Sequence, residues 1–380
     1  MRNGLTIALA LCAISACATD APPVSSERGP PLPEFVLDII APAADAPTPD
    51  AGMRAQFLSM VGREDLVPIR SATACEPVLR DGVAVDPIQE IAQRAATAQI
   101  VIVNEAHDAP QNRAFIRRLA TALRPLGYDV YAAETLFPPE LAGQPQPWPR
   151  MGEGFYTMEP TFGTLLRQVR ELGYRTVAYE DTSGNNSGDE FEQIARREQA
   201  QTANLIQAIF RDRPDARVLI HVGYSHAREL PEHMRDGREQ FWMAARLKAA
   251  TGIDPLTIDQ TRFAAPGASH VLCSRAENGA DPMDLYVGVP TVSFARQRPT
   301  WLASEGRRAI TIPARLRLNG ELTIISALVA GEPDDAVPAD RVLVQPGEDV
   351  ALMLAPGRYR VAGWTRSQGW TSPTVINVGR

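Results

Sequence analysis

Several features that would place this chain quickly are missing. It has no Lys/Arg-rich run, and 38 basic against 45 acidic side chains leave a formal charge of −7. Neutralising phosphates takes clustered cations, so a nucleic-acid partner is not expected. There is no Gly-x-Ser-x-Gly elbow, which disfavours a serine nucleophile. There is no Cys-x-x-Cys-His, which disfavours covalent haem of that type. Aromatic residues make up only 6% of the chain, which argues neither for nor against a porphyrin face. What is present is ordinary globular usage, 44% hydrophobic and 22% charged, which excludes wholesale disorder and a collagen-like chain. A length of 380 residues suggests two domains.

The first sixteen residues read as a targeting segment, with Arg2 ahead of an apolar stretch from Leu5 to Ile14. The stretch is shorter than the ~20 residues of a membrane-spanning helix. Ile14-Ser15-Ala16-Cys17 resembles a bacterial lipobox, implying cleavage before Cys17 and lipidation of its sulfur. Several acyl chains would hold the protein to a membrane surface. Ala18 rather than aspartate at the next position favours the outer membrane, facing the periplasm. Cys12 leaves with the signal, so only Cys75 and Cys273 remain; they form either a disulfide or two buried thiols. Residues 17–50 are expected to be a tether, because 21–50 hold eight prolines and one apolar cluster, Phe35 to Ile40, which either stays in the tether or docks on the domain.

From about Asp86, strand-like and helix-like runs alternate. Ile100–Val103, Tyr128–Ala133, Tyr174–Tyr179, Ala216–Val222 and Pro255–Ile258 read as strands. Phe115, Ile116, Leu119, Leu123 and Leu126 share one helix face, with Gly127 as the stop; Leu165, Leu166, Val169 and Leu172 repeat the device before Gly173. Longer patterns run from Asp189 to Phe210 and from Phe241 to Ala250. Such alternation predicts an α/β domain over 51–295, with a mostly parallel sheet and crossover helices. Residues 296–380 are expected to form an all-β, sandwich-like domain. An Asn319-Gly320 hairpin between Leu316 and Ile324 and a Pro356-Gly357 hairpin between Val350–Leu354 and Tyr359–Val361 are its signals.

The chemistry is concentrated after the strands. The first run ends Asn104-Glu105-Ala106-His107-Asp108, the second at Glu134, the third at Glu180-Asp181 and the fourth at Gly223-Tyr224-Ser225-His226. In a parallel sheet all carboxyl ends lie on one edge, where ligands bind, so Glu105, His107, Glu134, Glu180 and His226 are expected to converge. Asp108 serves the site or caps the following helix. Glu134 is expected either to act there or to pair with Arg197. Asp181 reads as a turn residue, His221 as a satisfied core histidine, and His233 and His270 as exposed.

Val103-Asn104-Glu105-Ala106-His107-Asp108, a helix, and a strand ending in Glu134 resemble the ChaN-like, erythromycin-esterase-like and Tiki-like superfamily, whose opening motif is Gly-Glu-x-His or Gly-Glu-x-x-His. Arg197-Glu198-Gln199-Ala200-Gln201-Thr202-Ala203-Asn204 is similar to its Arg-Asp-x-x-Met-Ala-x-Asn helix, and Gly223-Tyr224-Ser225-His226 to its late Gly-x-x-His. Asn104 stands for the glycine, Glu198 for the aspartate, and Gln201-Thr202 for Met-Ala. The short Glu-to-His spacing leans toward the ChaN-like branch.

Three functions follow as expectations. The first is hydrolysis of an ester or peptide. Without metal, His107 or His226 is the general base, oriented by Glu105 or Glu134, and Arg197 stabilises negative charge. With a divalent metal, His107, His226 and Glu105 are the ligands. The second, implied by the resemblance, is a haem- or iron-binding lipoprotein, with Tyr224 and His226 as candidate iron ligands. Glu180, Asp108, Tyr224 and Asn204 are binding candidates in either case. A non-catalytic envelope binding protein is the third expectation.

Overall fold

The computed structural model describes residues 34–42, 48–68, 72–185, 187–274, 281–317 and 320–379. The expected targeting segment and Cys17 lie outside them. Seven strands build the main sheet: β1 (Ile100–Glu105), β2 (Val130–Ala133), β3 (Arg175–Ala178), β4 (Val218–Gly223), β5 (Leu256–Ala265), β6 (Val271–Cys273) and β7 (Leu285–Pro290). Their order is β6-β7-β5-β1-β4-β2-β3, with Thr73–Ala74 added beside β5; only β6 runs antiparallel. The sheet reaches Pro290, well past the fifth strand expected near Ile258, because β5 continues to Ala265 and β7 pairs with it.

The apolar runs of β1, β2 and β4 form strands buried on both faces, while the edge strand β3 exposes Arg175. In β1, Val101 and Val103 enter one core and Ile100 and Ile102 the other; β2 and β4 alternate in the same way. One face is covered by α1 (Glu34–Ile40), α2 (Ala51–Met60), α3 (Pro87–Ala95), α4 (Pro110–Leu123) and α5 (Pro160–Glu171). The other is covered by α6 (Glu190–Leu205) and α7 (Met243–Thr251). Gly127 and Gly173, in the left-handed region at φ +90° and +78°, end the turns after α4 and α5. Asp189 caps α6 through a reciprocal pair with Glu192.

Four expectations need correction. Residues 34–40 are not tether: α1 buries Val36, Leu37 and Ile40 beside Phe57 and Leu58, so the apolar cluster is domain core. Asn319 of the expected Asn-Gly hairpin lies outside the described residues, and the strand after it pairs elsewhere, Thr323 with Val344 and Ile324 with Leu343 and Trp364. Ala314–Leu316 is a 3₁₀ turn that buries Leu316 in the second domain's core, and burying that side chain outweighs the local turn preference. The Pro356-Gly357 turn does not join a hairpin either; its two strands belong to different sheets. Finally, Asp108 is not the cap of α4: Ala109 occupies that position and Pro110 opens the helix.

The second domain packs β8 (Arg308–Thr311) and β11 (Ala351–Leu354) against an antiparallel sheet. That sheet comprises β9 (Thr323–Val329), β10 (Asp340–Val344), β12 (Gly357–Thr365), Gly369–Trp370 and β13 (Thr374–Val378). Ile325, Val342, Leu352 and Val361 fill the space between. It is docked firmly on the first domain. Arg298 donates to the Gly62 carbonyl at 2.6 Å, and the Leu343 amide donates to the Val61 carbonyl at 2.9 Å. A disulfide joins Cys75 to Cys273, ties the start of the main domain to β6, and closes a loop 198 residues long.

Candidate active site

Strands β1, β4, β2 and β3 are neighbours, so their carboxyl ends form one continuous edge. Glu105 lies opposite Gly223, and Ala133 is flanked by His221 and Ala178. The residues after these strands form two linked groups.

The first is centred on Glu105. Its Oε1 lies 3.2 Å from Nδ1 of His107, and its Oε2 is 2.9 Å from Nε2 of His221. Arg113, one turn into α4, grips both oxygens at 2.8 Å and also reaches the His107 carbonyl. Its third nitrogen meets Glu159, the N-cap of α5, at 3.1 Å. Burial would raise the Glu105 pKa, but Arg113 and His221 outweigh it and hold the carboxyl well below the usual range. The His107 ring stacks on Tyr156, with centroids 4.1 Å apart, and meets the Tyr224 ring edge-on at 5.0 Å.

The second group is centred on Arg197. Its Nη2 donates to Glu134 at 2.5 Å and to Glu180, and its Nε donates to Glu180 at 2.9 Å. Its Nη1 is 3.1 Å from Nε2 of His226. Glu134 thus makes the pair with Arg197 that was one alternative for it, and it also stands 3.5 Å from His226. The other ring nitrogen of His226 lies 2.7 Å from Glu198, whose second oxygen takes the Met243 amide at the start of α7. Burial pulls the His226 pKa down; Glu134 and Glu198 outweigh it and raise it above 6.5, with Arg197 opposing them.

Gly223 joins the groups. Its amide donates to Glu134 at 2.6 Å. A Cβ there would stand 2.4 Å and 2.6 Å from Cε1 and Nε2 of His107, so a side chain is excluded by the imidazole itself. Tyr224, with φ +36°, turns the chain sharply from the strand to His226.

Depth separates the roles. The His107, Glu134, Arg197 and His226 side chains keep 13, 10, 15 and 9% of their surface, whereas Glu105, Arg113 and Glu198 keep 2% or less. The reachable rim thus stands on a buried charged floor. Asn204, outside the cluster, donates to the carbonyls of Tyr179 and Glu180 and holds the end of β3. Asp181 makes the turn expected of it, accepting from the Ser183 amide. His233 is exposed, but His270 is not. It stacks on Phe115, faces Arg118 at 3.0 Å, and is pushed down to about 3 by burial and that guanidinium.

Sequence reasoning missed Glu198, Arg113, Glu159 and Tyr156. Glu198 had one signal, its place beside Arg197 in the helix motif. Among the described residues no cluster of three or more His, Cys, Asp or Glu is arranged to hold a metal. Two of the three expected ligands are engaged instead, Glu105 by a guanidinium fork and Nε2 of His226 by Arg197. A cation would have to displace these fixed positive charges, so the donor set fits a divalent metal poorly.

No family model matches the chain, and no curated protein does. Among solved structures it is similar to the type III effector HopBA1, at 12% identity over 58% of this chain and 99% of that one, TM-score 0.37. It is also similar to RRSP, a MARTX toxin effector domain from Vibrio vulnificus CMCP6 (17%, 47% and 36%, TM-score 0.34), and to a structure described as bacterial protein toxins (16%, 55% and 40%, TM-score 0.33). The chain spans well under half the length of the last two. At these scores the likenesses carry no assignment.

Proposed function

We propose that the protein is a metal-independent hydrolase of esters or peptides, anchored by lipid in the cell envelope. The observation that supports this best is the pairing of two rim imidazoles with buried carboxylates, Glu105 with His107 and Glu198 with His226, on adjacent strand ends. His107 is the base. Glu105 holds its Nδ1, and among the described residues its Nε2 makes no hydrogen bond, leaving that nitrogen for the proton of an attacking water. His226, whose charged form Glu134 and Glu198 favour, returns a proton to the leaving oxygen or nitrogen. Arg197 stands beside it to stabilise the oxyanion. Haem suits the site less well, because the Arg197 guanidinium 3.1 Å from Nε2 of His226 repels an iron ion at that nitrogen.

The test is turnover of nitrophenyl esters and nitroanilide peptides by protein dialysed against chelator. Activity that survives chelation is expected; activity restored only by added divalent metal, or none on either class, overturns the reading. Glu198→Gln removes one carboxylate that favours charged His226, so the alkaline limb of the pH–rate profile should move to lower pH. An unmoved limb would take His226 out of the acid's role. Gly223→Ala should abolish turnover by displacing the His107 ring, leaving the circular dichroism spectrum unchanged; full activity would contradict the packing described.

The envelope assignment draws on the lipobox-like start, and the Cys75–Cys273 disulfide suits an oxidising compartment. Cys17→Ser should move the protein from the membrane fraction to the soluble fraction. Continued sedimentation with membranes would exclude lipidation as the anchor.

A further inference from the structure

The carboxylate that orients His107 is held from below by two residues that the mechanism above leaves unused. His221 in β4 and Tyr131 in β2 project to the same sheet face as Glu105, two residues along from Leu219 and two before Ala133 in that core. They form a continuous chain. The Tyr131 hydroxyl lies 2.7 Å from Nδ1 of His221, Nε2 of His221 lies 2.9 Å from Glu105, and Glu105 lies 3.2 Å from His107. Tyr131, His221 and Glu105 are 0, 2 and 2% exposed. The Phe162 ring stacks on His221 at 5.2 Å and 11°, blocking rotation of the imidazole.

Proton direction along the chain is fixed by its ends. Glu105, kept ionised by the Arg113 guanidinium on both its oxygens, can only accept, so the proton in that contact sits on Nε2 of His221. Nδ1 is then an acceptor for the Tyr131 hydroxyl, which burial keeps protonated by raising its pKa well above 10. Arg113 grips the same carboxylate, but from α4. His221 ties it instead to the strand that carries Gly223 and leads to His226.

We propose that Tyr131 and His221 are positioning residues that lock the Glu105 carboxylate in register with the sheet edge, and thereby fix the His107 ring against Gly223. This deepens the hydrolase reading and rests on His107 being its base. The restraint matters because misplacing a reacting group by about 1 Å can lower a rate by about a hundredfold.

Two measurements on the mature chain test this. Nitrogen-15 spectra of histidine-labelled protein should show His221 protonated at Nε2 and bare at Nδ1; the opposite tautomer overturns the proposal. Peptide mapping should follow carbethoxylation of His107 by diethylpyrocarbonate, and nitrophenyl acetate hydrolysis should be measured alongside. His221→Phe should change the modification rate several-fold and lower kcat about tenfold or more with KM little changed. His221→Gln, which restores an N–H toward Glu105, should recover most of both. Should His221→Phe fail to fold, Tyr131→Phe keeps the shape and removes only the hydroxyl; it should leave Nε2 protonated toward Glu105, shift the resonance of the now unpartnered Nδ1, and alter the His107 modification rate. Wild-type values in Tyr131→Phe, or a His221→Gln variant as impaired as His221→Phe, overturn the proposal. If the wild-type protein hydrolyses nothing, the hydrolase reading fails, while the tautomer and the modification rate still decide the positioning.

Discussion

His107→Gln is expected to lower turnover by about 10²–10⁴-fold, the range lost with a general base, and to move the melting temperature by no more than about 4 °C. The small thermal effect follows from where the residue sits. His107 keeps 13% of its side-chain surface and contributes one of the contacts on Glu105. Arg113 and His221 remain to hold that carboxylate, so removing the imidazole leaves no buried charge unpaired. The large kinetic effect follows from the same arrangement, since no other described residue places a ring nitrogen over Gly223. Parallel assays of turnover and thermal unfolding check both halves. Wild-type turnover would remove His107 from the mechanism, and a collapse in melting temperature would make it a structural residue.

The rim of this site could be read from the chain, but its floor could not. Four strand-like runs alternating with helical patterns announce parallel strands, and the crossover rule then sends every following residue to one edge. Glu105, His107, Glu134, Glu180 and His226 are found there for that reason. Arg113 gives no comparable signal, because an arginine four residues into an amphipathic helix ordinarily faces water. Only the register of α4 on the sheet turns it under Glu105, and that register depends on packing across the whole layer. Glu198 is similar. Its neighbour Arg197 was legible, but which face of α6 meets the sheet edge was not, and Glu198 ends with 0% of its side chain exposed. His221 was legible as a satisfied core histidine, and both its nitrogens are bonded, yet nothing local showed that one partner would be the orienting carboxylate. Leu316 belongs to the same class: it was expected to open a strand, but it answers to a core assembled from distant strands.

Arg113→Met is expected to destabilise the fold by about 3–5 kcal/mol, the range for breaking a buried ion pair from one side. The guanidinium is fully buried, bonds both oxygens of Glu105, and reaches Glu159 at 3.1 Å. It also lies 5.6 Å and 5.4 Å from the Tyr156 and Phe162 ring centres. Methionine fills similar volume but leaves two buried carboxylates facing an apolar chain. The loss should depend on pH with a definite sign. In the parent, burial alone would raise the Glu105 pKa, and Arg113 and His221 depress it below 4.5. Its contribution is therefore complete above the unfolded value near 4.5 and disappears as pH falls through the lower folded value. In Arg113→Met the main depressing partner is gone and burial drives the pKa upward. The variant must then take up a proton on folding, a penalty that is greatest at neutral pH and vanishes below about 4.5. Urea unfolding of both proteins across this range should show a gap that narrows toward acid. Adding Glu105→Gln to Arg113→Met should recover part of the loss at neutral pH, since the amide carries no charge to strand. A gap independent of pH, or a double variant less stable than Arg113→Met alone, would mean that Arg113 stabilises by filling space and not by neutralising the floor of the site.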